Sequence, residues 1–111
     1  MTLKINGTTI SLTRGDTCKI GVDIFNPDGS LYVPVQGDSV RFAMKKNYKS
    51  DTVIMEKDIP INTLLLRIEP EDTKSLPQPS EYVYDIQLTH ANGEIDTFIA
   101  KAIFKITEEV E

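Results

Sequence analysis

Hydrophobic and polar residues alternate along most of the chain with a period of two residues. Because successive side chains of a strand point to opposite faces, this period predicts strands that are buried on one face only. The alternation is clean over Thr17–Phe25, where one face would carry Cys18, Ile20, Val22 and Ile24. We therefore expect a strand here whose inner face belongs to a core.

Further segments show the same alternation and are separated by polar or turn-forming residues. The inward rows that it predicts are Val40, Phe42 and Met44; Val53, Met55 and Ile59; Leu64, Leu66 and Ile68; and Tyr82, Tyr84, Ile86 and Leu88. Lys46–Asp51 is polar and is expected to form a loop between the first two of these rows.

Glycine and proline mark the predicted turns. Asn6-Gly7 separates Leu3–Ile5 from Thr8–Leu12, and Asn92-Gly93 follows the row that ends at Leu88. Asn-Gly between alternating segments is the strongest short hairpin signal, so both sites predict hairpins. In Asn26–Ser30, proline followed by aspartate and glycine indicates a tight turn.

Two segments depart from simple alternation. A last strand pair is expected within Glu94–Thr107, where the apolar residues change parity; a bulge or a change of sheet near Ala100 would explain this. Residues 70–76 begin with Pro70 and two acidic residues, which favour the start of a helix, and Pro77 stops it after about one turn.

Short strands separated by frequent turn signals predict an all-β fold with a single domain over residues 1–111. Tyr82-Val83-Tyr84 and the turn before it resemble the corner between sheets of immunoglobulin-like domains, with Tyr82 as the corner residue. On this resemblance Tyr84 fills the core position of a cysteine, Cys18 lies opposite, and Phe42 replaces the missing tryptophan. We therefore expect an immunoglobulin-like β-sandwich of two antiparallel sheets with one short helical turn near 70–76. Its expected core contains Cys18, Ile20, Val22, Phe42, Leu66, Tyr84, Ile86 and Phe104.

The net charge and the short apolar runs of the chain argue against two classes of partner. Twelve Lys and Arg residues against seventeen Asp and Glu residues give a net charge of −5 in 111 residues. A nucleic-acid partner is therefore not expected, since phosphate binding requires a basic surface. Nor is a membrane partner, because the longest apolar run, residues 59–66, is too short to span a bilayer. The chain lacks an apolar segment typical of a secretion signal, and we expect it to be made in a cytosol.

Residues with catalytic or metal-binding chemistry are few. The single His90 precedes the Asn92-Gly93 turn and is interpreted as a solvent-exposed residue beside a hairpin. The single Cys18 lies on an apolar strand face and is interpreted as a core residue. No catalytic set, metal site or cofactor site is predicted, and the chain is not expected to be an enzyme. A calcium site between loops stays open as an alternative, which would need several converging oxygen ligands.

Two features concern binding. Arg14-Gly15-Asp16 is the tripeptide of integrin ligands, but we interpret it as a tight turn in which Gly15 takes a positive φ angle. Phe25, Tyr32 and Tyr48 fall at strand ends or in loops, whereas the other aromatic residues fall on inward rows. These three exposed aromatic residues are the predicted interaction residues.

Motifs along nearly the whole chain resemble one family. They are Ile10–Thr17 (ISLTRGDT), Pro27–Gly29 (PDG), Gly37–Phe42 (GDSVRF), Ile68–Thr73 (IEPEDT), Tyr82–Leu88 (YVYDIQL) and Asn92-Gly93-Glu94. The chain is similar to small β-sandwich tail proteins of phages and prophages of Gram-positive bacteria, in particular to the N-terminal domain of the phage baseplate upper protein family.

This resemblance implies a non-enzymatic structural or assembly component of a phage or prophage tail or baseplate. Its partners would be other tail or baseplate proteins, with a homo-oligomer in the assembly as an option. The protein would be located in the virion tail, and in the bacterial cytoplasm before assembly. The alternative is an immunoglobulin-like binding module for carbohydrate or for a protein of the host surface, which an aromatic groove at Phe25, Tyr32 or Tyr48 would favour.

Overall fold

A computed structural model describes residues 2–4, 9–47, 49–74, 76 and 80–107. Strands form most of its regular structure, and one short helix interrupts them. The elements in chain order are β1 (Thr2–Lys4), β2 (Ile10–Thr13), β3 (Cys18–Gly21), β4 (Ser39–Lys45), β5 (Val53–Ile59), β6 (Leu65–Ile68), α1 (Pro70–Lys74), β7 (Ser80–Thr89) and β8 (Ile95–Thr107).

The strands form two sheets, as the alternation predicts. One sheet has the order β1-β3-β6 and the other has the order β2-β8-β7-β4-β5. The expectation of antiparallel sheets is correct for most pairs but wrong for two, because β1 runs parallel to β3 and β2 runs parallel to β8. Both exceptions involve the N-terminal segments, each of which lies at the edge of its sheet. The fold is thus all-β with two mixed sheets.

The predicted hairpin around Asn6-Gly7 is wrong. The two strands that flank it, β1 and β2, belong to different sheets and do not pair with each other. Instead, β2 aligns Ile10 with Phe104 and Leu12 with Ile106 of β8, and all four side chains are buried. Burial of these side chains outweighs the local turn preference, which is a weaker effect. Asn6 and Gly7 themselves lie outside the described residues.

Most of the alternating rows are buried as predicted. Two of their members are not: Val53, at the edge strand β5, is 38% exposed, and Leu64, just before β6, is only partly buried. In β4 the side chains of Val40, Phe42 and Met44 are at most 2% exposed. The row from Tyr82 to Leu88 in β7 is also buried. The strand expected over Thr17–Phe25 is shorter, because its pairing ends at Gly21, although Val22 and Ile24 continue the buried row.

One hydrophobic core joins the two sheets. Every residue of the predicted core is at most 3% exposed. The rings of Phe42, Tyr84 and Phe104 form its aromatic centre, with centroids 5.3, 6.1 and 6.2 Å apart. Because both sheets supply side chains to it, including Ile20 and Leu66 of the smaller sheet, the arrangement is compatible with a β-sandwich.

The C-terminal segment is one strand, not the predicted pair of strands. Its ladder with β7 shifts twice, from Tyr84–Ala102 to Ile86–Ile99 and then to Gln87–Thr97. Extra residues on β8 at these shifts change which side chains face the core, as a β-bulge does. Of the two explanations predicted for the parity change near Ala100, the bulge is therefore correct.

The short helix predicted near 70–76 is present as α1, and it fixes the Arg14-Gly15-Asp16 turn. The backbone N–H of Gly15, at φ +86°, donates to the buried Thr73 hydroxyl at 2.8 Å. Asp16 N–H donates to the Thr13 carbonyl at 3.1 Å, which closes the turn. The turn interpretation is confirmed, and the tripeptide is held against α1. In the part of the chain that the structure describes, no helix is long and apolar enough to cross a membrane.

Candidate functional site

The connection from β3 to β4, residues 22–38, begins with a tight turn. Asn26 N–H donates to the Ser30 carbonyl at 2.7 Å, and Gly29 N–H donates to the Asn26 carbonyl at 2.9 Å. Gly29 has φ +89°, which glycine adopts without a steric cost. Phe25 and Leu31 form an isolated antiparallel bridge at the base of the turn. The predicted turn is confirmed, and it holds the Phe25 ring at the surface, 60% exposed.

Tyr32 points back toward the end of the same connection. Its hydroxyl donates to Asp38 Oδ2 at 2.6 Å, and Val35 N–H donates to the same oxygen at 3.0 Å. The Asp38 side chain is only 2% exposed. The Tyr32 hydrogen bond is the main reason that the pKa of Asp38 lies below its usual value, and it raises the pKa of Tyr32. Asp38 is thus a buried, ionised carboxylate that fixes the curvature of the connection.

The hairpin between β7 and β8 packs against this connection. His90 N–H donates to the Glu94 carbonyl and Gly93 N–H donates to the His90 carbonyl, both at 2.8 Å, so the predicted Asn92-Gly93 hairpin is confirmed. Gly37 lies so close to Ala91 that a methyl group added to Gly37 would meet the Ala91 Cβ at 2.7 Å. Only a residue without a side chain allows this approach.

His90 connects the two segments through its imidazole. Its Nε2 lies 2.7 Å from Asp96 Oδ2, and because an ionised carboxylate only accepts, Nε2 carries the proton. Its Nδ1 lies 3.9 Å from Asp38 Oδ1, a contact that is attractive when the imidazole is protonated at both nitrogens. The Tyr32 ring meets the imidazole edge-on at a centroid distance of 5.9 Å. The hydrogen bond to Asp96 raises the pKa of His90, against the opposing effect of desolvation.

A cavity of about 400 Å³ lies between the two segments and is open on one side. One wall comes from the connection, with Phe25, Asn26 and Tyr32, and the other comes from the hairpin, with His90 and Asp96. Ile24, Pro27 and Leu88 complete an apolar lining. The volume falls in the range of small-ligand sites, which are mainly apolar with a few placed polar groups.

The structure brings together two of the three predicted interaction residues. Phe25 and Tyr32 line the same cavity, whereas Tyr48 lies outside the described residues. His90 does flank a hairpin, as predicted, but it is partly buried and paired, so its interpretation as a solvent residue is wrong. The reason is that Asp38 and Asp96 approach it from two segments.

Sequence reasoning missed Asp38 and Asp96 as parts of the site. A two-residue turn at Asn92-Gly93 would place positions 90 and 96 on opposite sheet faces, so the sequence carried no signal for Asp96. The structure instead pairs Thr89 with Ile95, which makes positions 90 and 96 diagonal neighbours on one face. Asp38 had no signal either, because its approach to His90 depends on how the whole of residues 22–38 folds back.

The chemistry of the cavity follows from the side chains that line it. A His–Asp pair resembles part of a hydrolytic triad, but such a triad also needs a nucleophile beside the histidine. Among the residues that line the cavity, the only hydroxyl belongs to Tyr32, and it is engaged by Asp38. In the described ranges, no group of three or more His, Cys, Asp and Glu side chains is arranged to hold a metal ion.

Comparison with protein-family models, with curated proteins and with solved structures gives no match.

Proposed function

We propose that the protein is a non-enzymatic structural or assembly component of a phage or prophage tail or baseplate. The observation that carries this proposal is an apolar surface within one connection: Phe25, Leu31, Val33 and Val35 are 56–70% exposed. Exposed apolar side chains concentrated within one short stretch, here residues 25–35, favour a protein interaction site over scattered single exposures. The resemblance of the motifs quoted above, from Ile10–Thr17 to Asn92-Gly93-Glu94, supports tail or baseplate proteins as the proposed partners.

An immunoglobulin-like topology is part of the proposal. The pairing of β3 with β6 and the order β8-β7-β4 correspond to the B–E and G–F–C pairings of that fold. In immunoglobulin variable domains the loops of one sandwich end form the binding surface, and residues 22–38 and 90–94 occupy the corresponding B–C and F–G positions. Tyr84 and Phe42 pack at 5.3 Å, which supports their proposed core roles. The role of Tyr82 as a corner residue stays a prediction, since the turn before it is only partly described.

The proposed partners are other tail or baseplate proteins, with self-association inside the assembly as an option. The net charge of −5 and the absence of a basic surface motif favour neither nucleic acid nor membrane as a partner. The proposed location is the virion tail, preceded by the bacterial cytoplasm. The protein would dock through the 22–38 connection, which leads into β4 at Ser39. Val53 of the edge strand β5 pairs with Lys45 at the other end of β4.

Incorporation into tails tests this proposal. Val33, 70% exposed, is replaced by aspartate in the phage that encodes the chain, and Val53→Asp at the start of β5 is the control. Antibody labelling and mass spectrometry of purified tails then measure incorporation. We expect the wild type and Val53→Asp to be incorporated, and Val33→Asp to be reduced about tenfold or more, because a buried unpaired carboxylate weakens an interface.

Two results would contradict the proposal. One is absence of the wild-type protein from purified tails and tail intermediates. The other is unchanged incorporation of Val33→Asp, which would show that the connection is not the docking surface. Equal melting temperatures of the two variants establish that any difference arises in assembly and not in folding.

A second candidate is a binding module for carbohydrate or for a protein of the host surface. The observation that favours it is the cavity itself, where the exposed ring of Phe25 stands opposite the His90–Asp96 pair. The two candidates are alternatives at Phe25, which the docking surface and the cavity share. Experiments can distinguish them, because the tail component must be incorporated into tails, whereas the binding module must bind its ligand as the isolated protein.

A further inference from the structure

The cavity offers a ligand one apolar surface and one hydrogen-bonding surface. Phe25 exposes 60% of its area at one wall, and Pro27 and Leu88 extend the apolar lining. At the other wall the Asp96 side chain is 68% exposed, and its carboxylate can accept more hydrogen bonds than the one from His90. A ligand that fits must therefore donate hydrogen bonds at one edge and present an apolar face on another side.

The charges around the cavity favour a neutral ligand. His90 faces Asp96 and Asp38 directly and lies in the field of Glu94, while Tyr32 is held by Asp38. A cation bound to Asp96 would lie beside the His90 imidazole, which repels it when protonated, whereas a neutral hydroxyl donor uses the same acceptor positions without this cost. An anion would meet the three carboxylates of this cluster and the net charge of −5.

Backbone pairing in the wall argues against an extended peptide. The Ile24 carbonyl accepts from Tyr32 N–H at 2.7 Å, and both backbone groups of Asn26 are used inside the turn. A peptide that adds a strand needs unpaired backbone groups of this kind. At this wall the groups that remain for recognition are side chains, which is the pattern of a small-ligand site.

We propose that the cavity between residues 24–32 and 88–96 binds a neutral saccharide. This deepens the second candidate function and rests on it. The aliphatic C–H face of a sugar ring packs on Phe25, and hydroxyl groups at the ring edge donate to the Asp96 carboxylate. His90 is a positioning residue, since its Nε2–H holds Asp96 and its contacts with Asp38 and Tyr32 keep the two walls together.

Glycan binding by the purified chain tests the proposal. The probes are an array of neutral oligosaccharides built from glucose, galactose, rhamnose and N-acetylhexosamines, and maltotriose and N-acetylglucosamine trimer in solution. Arms with an acidic oligosaccharide, lysine methyl ester and a random hexapeptide pool test the other ligand classes. Binding in solution is followed by amide chemical shifts, which locate the site.

We expect a neutral saccharide to shift amides in 24–32 and 88–96. Phe25→Ala and Asp96→Asn should each weaken binding by about tenfold or more, since the first removes the apolar surface and the second replaces a charged acceptor with two oxygens by a neutral amide with one. Val53→Ala, on the β5 edge, is the control and should leave the affinity unchanged. His90→Gln, which keeps a donor, should weaken binding less than His90→Ala.

Several outcomes would overturn the proposal. They are no binding to any neutral saccharide, a preference for the cation, the acidic sugar or the peptide pool, or saccharide binding that Phe25→Ala and Asp96→Asn leave intact. A protein that enters tails but binds no saccharide would contradict this inference alone. A protein that binds a saccharide at the cavity but is absent from tails would contradict the tail proposal alone.

Discussion

Replacing Gly37 by alanine should destabilise the protein more than the same change at Gly29. Both glycines have positive φ angles, +100° and +89°, so a side chain strains the backbone at either position. They differ in their surroundings. A Cβ at Gly29 would meet nothing within 4 Å, whereas one at Gly37 would lie 2.7 Å from the Ala91 Cβ. The pair therefore separates backbone strain from the contact between the two cavity walls.

The expected loss in the free energy of unfolding follows from the backbone strain and from the overlap with Ala91. A left-handed conformation costs a non-glycine residue about 1–2 kcal/mol, and alanine recovers ~0.4–1 kcal/mol by restricting the unfolded chain. Gly29→Ala should therefore lower the free energy of unfolding by about 1 kcal/mol. Carbon atoms pack at about 3.5–4.0 Å, so Gly37→Ala also forces a shift of nearly an ångström, and overpacking of this kind costs about 1–3 kcal/mol. The expected total for Gly37→Ala is about 2–4 kcal/mol.

Urea denaturation followed by circular dichroism measures both variants. A double-mutant cycle with Ala91→Gly isolates the contact, because removing the Ala91 methyl group relieves the overlap but not the backbone strain. We expect a coupling energy of about 1–3 kcal/mol in the direction of rescue. Equal destabilisation by Gly37→Ala and Gly29→Ala, together with zero coupling to Ala91, would refute the close packing of residues 22–38 on the hairpin.

Four further predictions address the core and the site. Ile86→Ala should lower the free energy of unfolding by about 2–5 kcal/mol, because the fully buried side chain leaves a cavity; a loss below 1 kcal/mol in urea denaturation would contradict this. Tyr84→Phe should raise the free energy of unfolding by about 1 kcal/mol, because the buried Tyr84 hydroxyl has no hydrogen-bond partner among the described residues. Burial also raises the pKa of Tyr84 to about 12. Destabilisation in the same assay would show that the hydroxyl has a partner. The pKa of His90, measured by proton NMR, should exceed 6.5 and should fall in Asp96→Asn. The His90–Asp96 pair then stabilises the folded state fully below pH 6.5, and this stabilisation is lost as the pH rises through the folded-state pKa of His90. An unchanged His90 pKa in Asp96→Asn would contradict the pairing. EDTA should leave the melting temperature unchanged, and a fall of several degrees would instead revive the calcium alternative.

The core could be predicted because the alternation of hydrophobic and polar residues shows which side chains of each strand face inward. The alternation around Phe42 and Tyr84 identifies the buried rows without any knowledge of the pairing, since hydrophobic burial is the dominant stabilising effect. The parity change near Ala100 similarly indicated an irregularity, a bulge or a change of sheet, and the structure has the bulge. The pairing of the N-terminal segments could not be obtained in this way, because alternation shows neither partner nor direction: β1 passes over β2 to pair in parallel with β3, and β2 pairs in parallel with the last strand, β8.

The site was predictable only in part. Phe25 and Tyr32 could be identified from the sequence, because they are aromatic residues that fall outside the predicted buried rows. The contact between His90 and Asp38 could not be predicted, because the two residues are 52 positions apart in the chain and meet only through the tertiary structure. A lone histidine carries no signal of its partners when neither carboxylate lies at a characteristic spacing.

The most direct test of the proposed role is whether purified tails contain the protein and require its exposed connection. Tails from the phage or induced prophage that encodes it are isolated, and its amount per tail is measured by quantitative mass spectrometry for the wild type, Val33→Asp and Val53→Asp. We predict a fixed, stoichiometric amount for the wild type and for Val53→Asp, and a loss of about tenfold or more for Val33→Asp. Tails that form without the protein, or that contain all three forms equally, would contradict the account.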